Sequence, residues 1–159
     1  MKITVLCVGR LKEKYLIDAL NEYKKRLCAF AKVEVTEVED EKTPDKASEA
    51  TNEKIKDTEG KRLQKYIKDD ALVVALAIEG KQMTSEEFAD FIDKTGVNGT
   101  GHIIFIIGGS LGLSKEVLDR ADVKLSFSKM TFPHQLMRVI LMEQIYRGYK
   151  IISNQPYHK

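Results

Sequence analysis

Three glycines interrupt an apolar stretch of the sequence, FIIGGSLGLS at residues 105–114. Gly108 and Gly109 carry no Cβ, so a ligand can approach their backbone closely. The stretch is not a dinucleotide fingerprint, since G-x-G-x-x-G is absent, and it is not a phosphate-binding P-loop, since no Gly-Lys-Ser/Thr follows. Two interpretations are left: a tight turn that requires positive φ, or a loop that holds a neutral, adenosine-like ligand with main-chain groups.

Groups able to move a proton or hold an anion lie near the C-terminal end of the sequence. His134 follows Pro133 at the predicted start of a helix, where the helix dipole favours the neutral imidazole. Its alternative role is a hydrogen bond to nearby backbone. The final residues, SNQPYHK, bring together Tyr157, His158 and Lys159. An aromatic ring, an imidazole and an ammonium suit stacking on a base and holding a phosphate.

Other kinds of reactive site are not indicated. His102, His134 and His158 lack the spacing of zinc ligands, so no metal site is predicted. No G-x-S-x-G elbow is present. Cys7 and Cys28 are far apart and form no CxxC pair, which favours a reduced, cytoplasmic compartment.

Composition indicates one ordinary globular domain over residues 1–159. The chain is 43% hydrophobic and 31% charged, and no apolar run approaches the roughly 20 residues that cross a bilayer. The formal net charge is only +2. Residues 115–159 nevertheless carry 8 basic and 4 acidic side chains, an asymmetry that is compatible with a local nucleic-acid surface and also arises by chance.

Short apolar runs alternate with helical periodicity, which predicts an α/β fold with a largely parallel sheet. The run at 32–38 alternates and suits an edge strand, whereas 71–78 and 102–107 are apolar on both faces. Helix 48–68 is very hydrophilic, with Gly60 in its middle, and is expected to be exposed and mobile. Strands are predicted at 2–8, 32–38, 71–78, 102–107 and 123–127, and helices at 15–30, 48–68, 84–92, 114–121 and 134–150.

The predicted sheet indicates where a ligand would lie. In parallel sheets, ligands bind beyond the carboxyl ends of the strands. Three very apolar strands end at 76–78, at Ile107 before GGSLG, and at Phe127 before SKMTFP. The last helix, 134–150, has almost no polar face over two turns, more than one sheet face requires. Its excess apolar surface predicts a homodimer.

The order FIIGGSLGLS, LSFSKMTFPHQLMRVILMEQIYRGYKI and NQPYHK resembles the RlmH family of the SPOUT methyltransferases, over the whole chain from MKITVLCVGRLK to PYHK. The resemblance implies an S-adenosylmethionine-dependent enzyme that methylates N3 of a pseudouridine in 23S ribosomal RNA. It also implies a homodimer and a C-terminal trefoil knot, a feature that periodicity cannot reveal. The family's cofactor-binding positions fall on Leu76, Gly108, Phe127, Ser128, Lys129, Met130, Thr131 and Phe132.

Direct displacement at an activated methyl group requires the uracil N3 to be aligned and its proton removed. The resemblance and the residue types together give two sets of candidates, both resting on polar character and predicted position. The catalytic candidates, with Arg138 as an anion contact, are His134, Arg138, Tyr157 and His158. The RNA-binding candidates are Arg10, Lys12, Arg147 and Lys159.

The modest charge favours an assembled ribosome as substrate, because phosphate contacts supply most affinity for free RNA. The chain shows no appended RNA-binding domain, in agreement with that view. The tail is expected to act within one chain or across the dimer. Two alternatives to the enzyme are a non-catalytic, flavodoxin-like nucleotide-binding module and a ribosome-associated factor that has lost the chemistry.

Overall fold

The computed structural model describes all 159 residues, in which strands and helices alternate five times. Their bounds are β1 (Lys2–Val8), α1 (Lys14–Leu27), β2 (Lys32–Val38), α2 (Glu49–Gln64), β3 (Leu72–Gln82), α3 (Ser85–Val97), β4 (His102–Ile107), α4 (Lys115–Arg120), β5 (Val123–Ser126) and α5 (His134–Ile152). None of the helices is both long and apolar enough to cross a membrane.

All strands belong to one parallel sheet with the order β2-β1-β4-β3-β5. The predicted α/β class with a parallel sheet is therefore confirmed, as is the edge position of β2. The most apolar strand, β4, lies in the middle, where both faces are covered. Because every strand points the same way, the loops that follow β1, β3, β4 and β5 meet at one edge of the sheet.

Two apolar layers enclose the sheet. On one face, Phe105 packs with side chains of α1, α3 and α5, including Leu20, Phe88 and Ile145. On the other face, a smaller cluster joins the sheet to α2 and α4, with Leu63 at its centre. Alternate residues of one strand serve opposite layers, as the two-residue period of a strand requires.

Strand β3 is longer than the predicted 71–78. It continues to Gln82 and pairs with β5 on both sides of a bulge that spans residues 76–81. Gly80 makes this possible, because a Cβ there would lie 2.7 Å from the carbonyl carbon of Lys124. The bulge bends the chain away from the ladder just where the predicted ligand edge begins.

Helix α2 is shorter and less exposed than expected. It ends at Gln64, and Glu59, Gly60 and Leu63 are buried. A Cβ on Gly60 would lie 2.5 Å from Oγ of Ser114. The glycine in the middle of a hydrophilic helix therefore marks a close approach to the start of α4, and the expectation of an exposed helix was wrong for this stretch.

Replacing Gly60 with alanine is expected to lower the free energy of unfolding by about 1 kcal/mol, although alanine favours helix. The new methyl group displaces the Ser114 hydroxyl, which caps α4 by accepting a hydrogen bond from the Val117 N–H at 3.3 Å. The measurement is urea unfolding. Gly96→Ala is the matched control, because its nearest neighbour is the flexible end of Met1, at 3.4 Å. Equal stabilisation of both variants would show that the contact with Ser114 is loose.

Candidate active site

A cavity of about 800 Å³ opens at the carboxyl edge of the sheet, between the ends of β3, β4 and β5. Its walls come from residues 76–79, 107–113 and 127–133 and from the first turn of α5. Of the eight residues predicted to bind a cofactor, seven line it and only Lys129 does not. The seven are Leu76, Gly108, Phe127, Ser128, Met130, Thr131 and Phe132.

The glycine loop forms one wall of this cavity because its chain folds back on itself. Gly109 and Gly112 form an isolated antiparallel bridge, and the Gly112 N–H donates to the Gly109 carbonyl at 3.0 Å. A Cβ on Gly108 would lie 2.7 Å from the carbonyl carbon of Gly112. Gly112 itself has φ of +85°. The turn therefore needs its glycines, and their bare backbone faces the cavity; that the loop also holds a ligand stays a prediction.

The loop after β5 forms the opposite wall and is held by one serine. The Ser128 hydroxyl accepts a hydrogen bond from the Met130 N–H at 3.0 Å, and the Ser128 carbonyl accepts one from the Ser126 hydroxyl at 3.1 Å. This arrangement turns Phe127 and Phe132 toward the cavity and leaves Lys129 exposed. Aromatic walls and free main-chain groups suit a purine nucleoside.

His134, the first residue of α5, is half-buried and lines the same cavity. Burial, and then the charge of Arg138, lowers the pKa of His134 below its ordinary value. The imidazole is therefore neutral at physiological pH and free to accept a proton. Its Nε2 atom lies beside Gly9, 3.9 Å from where a Cβ of that glycine would stand.

Arg138 does not reach the cavity, in contrast to its predicted role as a contact for a substrate anion. It is 0% exposed. Its guanidinium donates to the carboxylate of Glu37 at 2.5 Å and to the carbonyls of Gly9 and Val8 at 2.8 and 3.3 Å. The anion that it holds belongs to its own chain, so Arg138 fixes the end of β1 against α5.

The loop between β1 and α1 carries two predicted RNA contacts, Arg10 and Lys12, and both are exposed. This loop is tied down from both sides. The Leu11 N–H donates to Glu37 at 2.7 Å, and the Gln135 side-chain amide donates to the Arg10 carbonyl at 3.4 Å. The two cations thus stand at the edge of the sheet that bears the cavity.

The C-terminal tail forms a separate polar cluster on the second half of α5 and the start of α3. Glu143 accepts hydrogen bonds from Arg147 at 2.5 and 3.0 Å and from the Tyr157 hydroxyl at 3.1 Å. His158 lies between Arg147, at 3.1 Å, and Glu86, at 2.8 Å. Burial and the contact with Glu143 raise the pKa of Tyr157 to about 12, so its hydroxyl is a donor at neutral pH.

The tail and the cavity are far apart within one chain. Thirteen residues of α5 separate His134 from Arg147, which corresponds to about 20 Å along the helix axis. The structure therefore brings His134 to the predicted cofactor residues, but it leaves Arg147, Tyr157 and His158 in another place. Lys159, the last RNA-binding candidate, is exposed beside this second cluster.

Two charged residues of the cavity wall were missed by the sequence predictions, Lys56 of α2 and Glu79 of the β3 bulge. The ammonium of Lys56 is held by Glu53 at 2.6 Å. Nothing in the hydrophilic pattern of α2 indicates which of its polar residues faces a ligand. For Glu79, its place directly after an apolar strand was the available signal.

The chemistry of the cavity fits S-adenosylmethionine better than a phosphorylated cofactor. The lining is mostly apolar, and the glycine loop offers main-chain groups for a nucleoside. A single lysine, already paired, is a poor site for several phosphates. No group of three His, Cys, Asp or Glu side chains is placed to hold a metal ion. His102 binds Thr4 at 2.8 Å, at the opposite edge of the sheet.

Comparison with known proteins gives matches along the whole chain. The family described as "Predicted SPOUT methyltransferase" matches residues 1–158. The protein named "Ribosomal RNA large subunit methyltransferase H" from Bifidobacterium adolescentis is 62% identical over 159 residues, which is 100% of both chains. Proteins of the same name from Bifidobacterium animalis subsp. lactis and Clostridium beijerinckii are 60% and 59% identical, also over 100% of both chains.

The fold also has a counterpart among solved structures. A probable methylase family protein from Haemophilus influenzae Rd KW20 superimposes with a TM-score of 0.53 and 12% sequence identity. The match covers 99% of this chain and 70% of that one, and it concerns the fold alone. The full-length sequence matches show that this chain is a methyltransferase of the SPOUT family, and that within this family it belongs with the ribosomal RNA large subunit methyltransferases H.

Proposed function

We propose that this methyltransferase transfers a methyl group from S-adenosylmethionine to N3 of a pseudouridine in 23S ribosomal RNA. The proposed substrate is the assembled ribosome in the cytoplasm. The observation that carries the proposal is the convergence of seven predicted cofactor residues and His134 on one cavity. The names of relatives that share 59–62% of the sequence supply the substrate class.

When bound, S-adenosylmethionine supplies a methyl group that its positively charged sulfur already activates. The glycine backbone around Gly108 and the loop 127–132 hold the nucleoside, and their fixed geometry aligns the reacting atoms. As N3 of the base took the methyl group in place of sulfur, it would have to lose its proton, so the site needs a group that accepts this proton. Neutral His134, the titratable imidazole of the cavity, is our candidate to accept that proton at Nε2.

Ribosomal RNA would approach along the edge of the sheet that bears the cavity. Arg10 and Lys12 are exposed there, on a loop that Glu37 and Gln135 hold in place. A net charge of +2 supplies few phosphate contacts. We therefore assign recognition to the shape of the assembled particle and only local anchoring to these cations.

The proposed active form is a homodimer in which the tail of one chain completes the cavity of the other. Leu136 on α5 is 37% exposed and Tyr15 on α1 is 69% exposed, near the mouth of the cavity. These apolar groups support a second copy of the chain packed at this end of α5. A partner in antiparallel arrangement would deliver Tyr157 and His158, which within one chain bind Glu143 and Glu86 outside the cavity.

The test is transfer of labelled methyl groups to ribosomes from cells that lack this gene. Free large subunits and joined ribosomes are compared, and the modified nucleoside is identified by mass. We expect label on a pseudouridine of 23S RNA, with joined ribosomes preferred. Label on another nucleoside would contradict the proposed substrate. Cofactor binding without any label would favour a ribosome-associated factor that has lost the chemistry.

A further inference from the structure

Glu59 of α2 is a buried carboxylate with no cation of its own. The residue is 4% exposed. Its Oε2 atom accepts a hydrogen bond from the Glu41 N–H at 3.0 Å, and it forms no salt bridge. The nearest cation, Arg62, donates to the Glu39 carbonyl and to the carboxylate of Glu41. Buried charges are normally paired, because burial removes the water that stabilises them.

The carboxylate lies directly behind the glycine wall of the cavity. A Cβ on Gly109 would be 3.4 Å from both oxygens of Glu59, so the carboxylate packs against the backbone of this cavity residue. Gly60 allows this approach, because α2 touches Ser114 at that point without a side chain between them. The charge is thus separated from the cavity by one layer of main chain and is screened little by solvent.

We propose that Glu59 gives the cavity a negative potential that favours the cationic sulfonium of S-adenosylmethionine over the neutral thioether of the product, S-adenosylhomocysteine. The inference rests on the proposed function. The two molecules differ by one methyl group and one positive charge, so apolar walls and main-chain hydrogen bonds scarcely distinguish them. Two charged residues lie in the wall itself. Lys56 does not cancel the effect, since its ammonium is paired with Glu53, and Glu79 is exposed, so solvent screens its negative charge more strongly than that of Glu59.

As a consequence, the cavity would bind S-adenosylmethionine more tightly than it retains S-adenosylhomocysteine. At an effective dielectric constant near 20, two unit charges about 10 Å apart interact strongly enough to change an affinity about tenfold. Loss of the positive charge during transfer removes this attraction. Glu59 is therefore assigned as a residue that acts on the cofactor through the field, without contact.

The first experiment measures dissociation constants of both molecules by calorimetry, for the wild type, Glu59→Gln and Asp57→Asn. Glutamine keeps the acceptor for the Glu41 N–H and removes the charge. We expect Glu59→Gln to weaken S-adenosylmethionine about tenfold and S-adenosylhomocysteine less than twofold. Asp57→Asn removes a charge from the exposed side of the same helix and should change neither value. Equal weakening of both molecules by Glu59→Gln, or no weakening, would overturn the proposal.

A second measurement uses pH. Burial raises the pKa of Glu59, with Asp40 and Glu41 adding to the rise and Arg62 opposing it. The preference for S-adenosylmethionine should therefore be present above this raised pKa and disappear as pH falls through it. In the ratio of the two dissociation constants, the titration of the groups that both molecules share cancels. A change that persists in Glu59→Gln would assign the titration to another group of the cavity wall, His134 or Glu79, and contradict the proposal.

The same burial gives an independent expectation for stability. Above the raised pKa, the folded protein holds Glu59 charged in a poorly solvated place, so a neutral side chain should raise the midpoint of thermal unfolding there. Higher stability with weaker S-adenosylmethionine binding is the expected pair of results. A lower midpoint would show that the carboxylate is structural. A wild type that binds neither molecule would instead contradict the proposed function itself.

Discussion

We expect replacement of Arg138 by methionine to lower the free energy of unfolding by about 3 kcal/mol, because the guanidinium is buried and paired. Arg138 is 0% exposed and its pair with Glu37 bridges 101 residues of sequence. Methionine fills most of the volume but leaves the Gly9 carbonyl without its donor. Glu37 is 36% exposed, so water relieves part of its lost pairing, which holds the effect near the lower limit for a broken buried pair.

Urea denaturation of the wild type and three variants tests this expectation. In Arg138→Met/Glu37→Leu no carboxylate is left unpaired, and we expect it to recover part of the lost stability. Lys14→Met is the surface control, because the pair of Lys14 with Asp18 is exposed and should contribute little to stability. If Arg138→Met behaved like this control, the buried pair would not hold β1 to α5.

For Arg138, the sequence predicted the kind of contact but not the partner. Its place on an apolar helix near a predicted ligand edge suggested an anion contact, and it does hold an anion. Periodicity contains no information on which anion, because Glu37 sits on an edge strand far away in sequence. A cation in an apolar stripe can equally face a substrate or neutralise the interior, and only tertiary structure decides between them.

The central parts of the strands were easier to predict than the end of β3 and the packing of α2. Apolar runs in β1, β2 and β4 have the bounds that were predicted, since burial on one or both faces selects the residue types directly. The extension of β3 was missed because EGKQ is polar and pairs with β5 only at an edge. The burial of α2 was missed because Gly60, which usually weakens a helix, here allows a close contact.

The cavity was predicted from the ends of strands, a rule of topology that needs no side-chain detail. Contributions from α2, such as Lys56 and Glu59, lay outside that rule. The tail was predicted to join the chemistry because its residue types suit a base and a phosphate. In the structure it binds Glu143 of α5 and Glu86 of α3, outside the cavity, so the site completed across a dimer that we propose requires groups from two chains.

That question can be answered with two variants, each of which disables a different part. Gly108→Ala places a methyl group 2.7 and 2.8 Å from the Gly112 carbonyl carbon and oxygen, so the glycine loop must move and cofactor binding should be lost. Tyr157→Ala/His158→Ala leaves the cavity intact and removes the tail groups. We expect each variant alone to lose more than about 100-fold in methyl transfer, the usual size of a lost acid-base or positioning group.

Mixed dimers of these two variants are expected to regain activity. If the tail acts across the dimer, a heterodimer contains one cavity and one tail that are both intact and belong together. Random pairing at equal amounts makes half of the dimers mixed, so roughly a quarter of all sites should work. Co-expression with two different affinity tags isolates the mixed dimers, and labelled methyl transfer to joined ribosomes is the readout. Homodimers carried through the same purification are the control.

Activity that stays at their level would mean that the tail and the cavity must come from the same chain. In that case the tail would have to leave Glu143 and Glu86 to reach its own cavity, a rearrangement that a bound nucleic acid would have to drive.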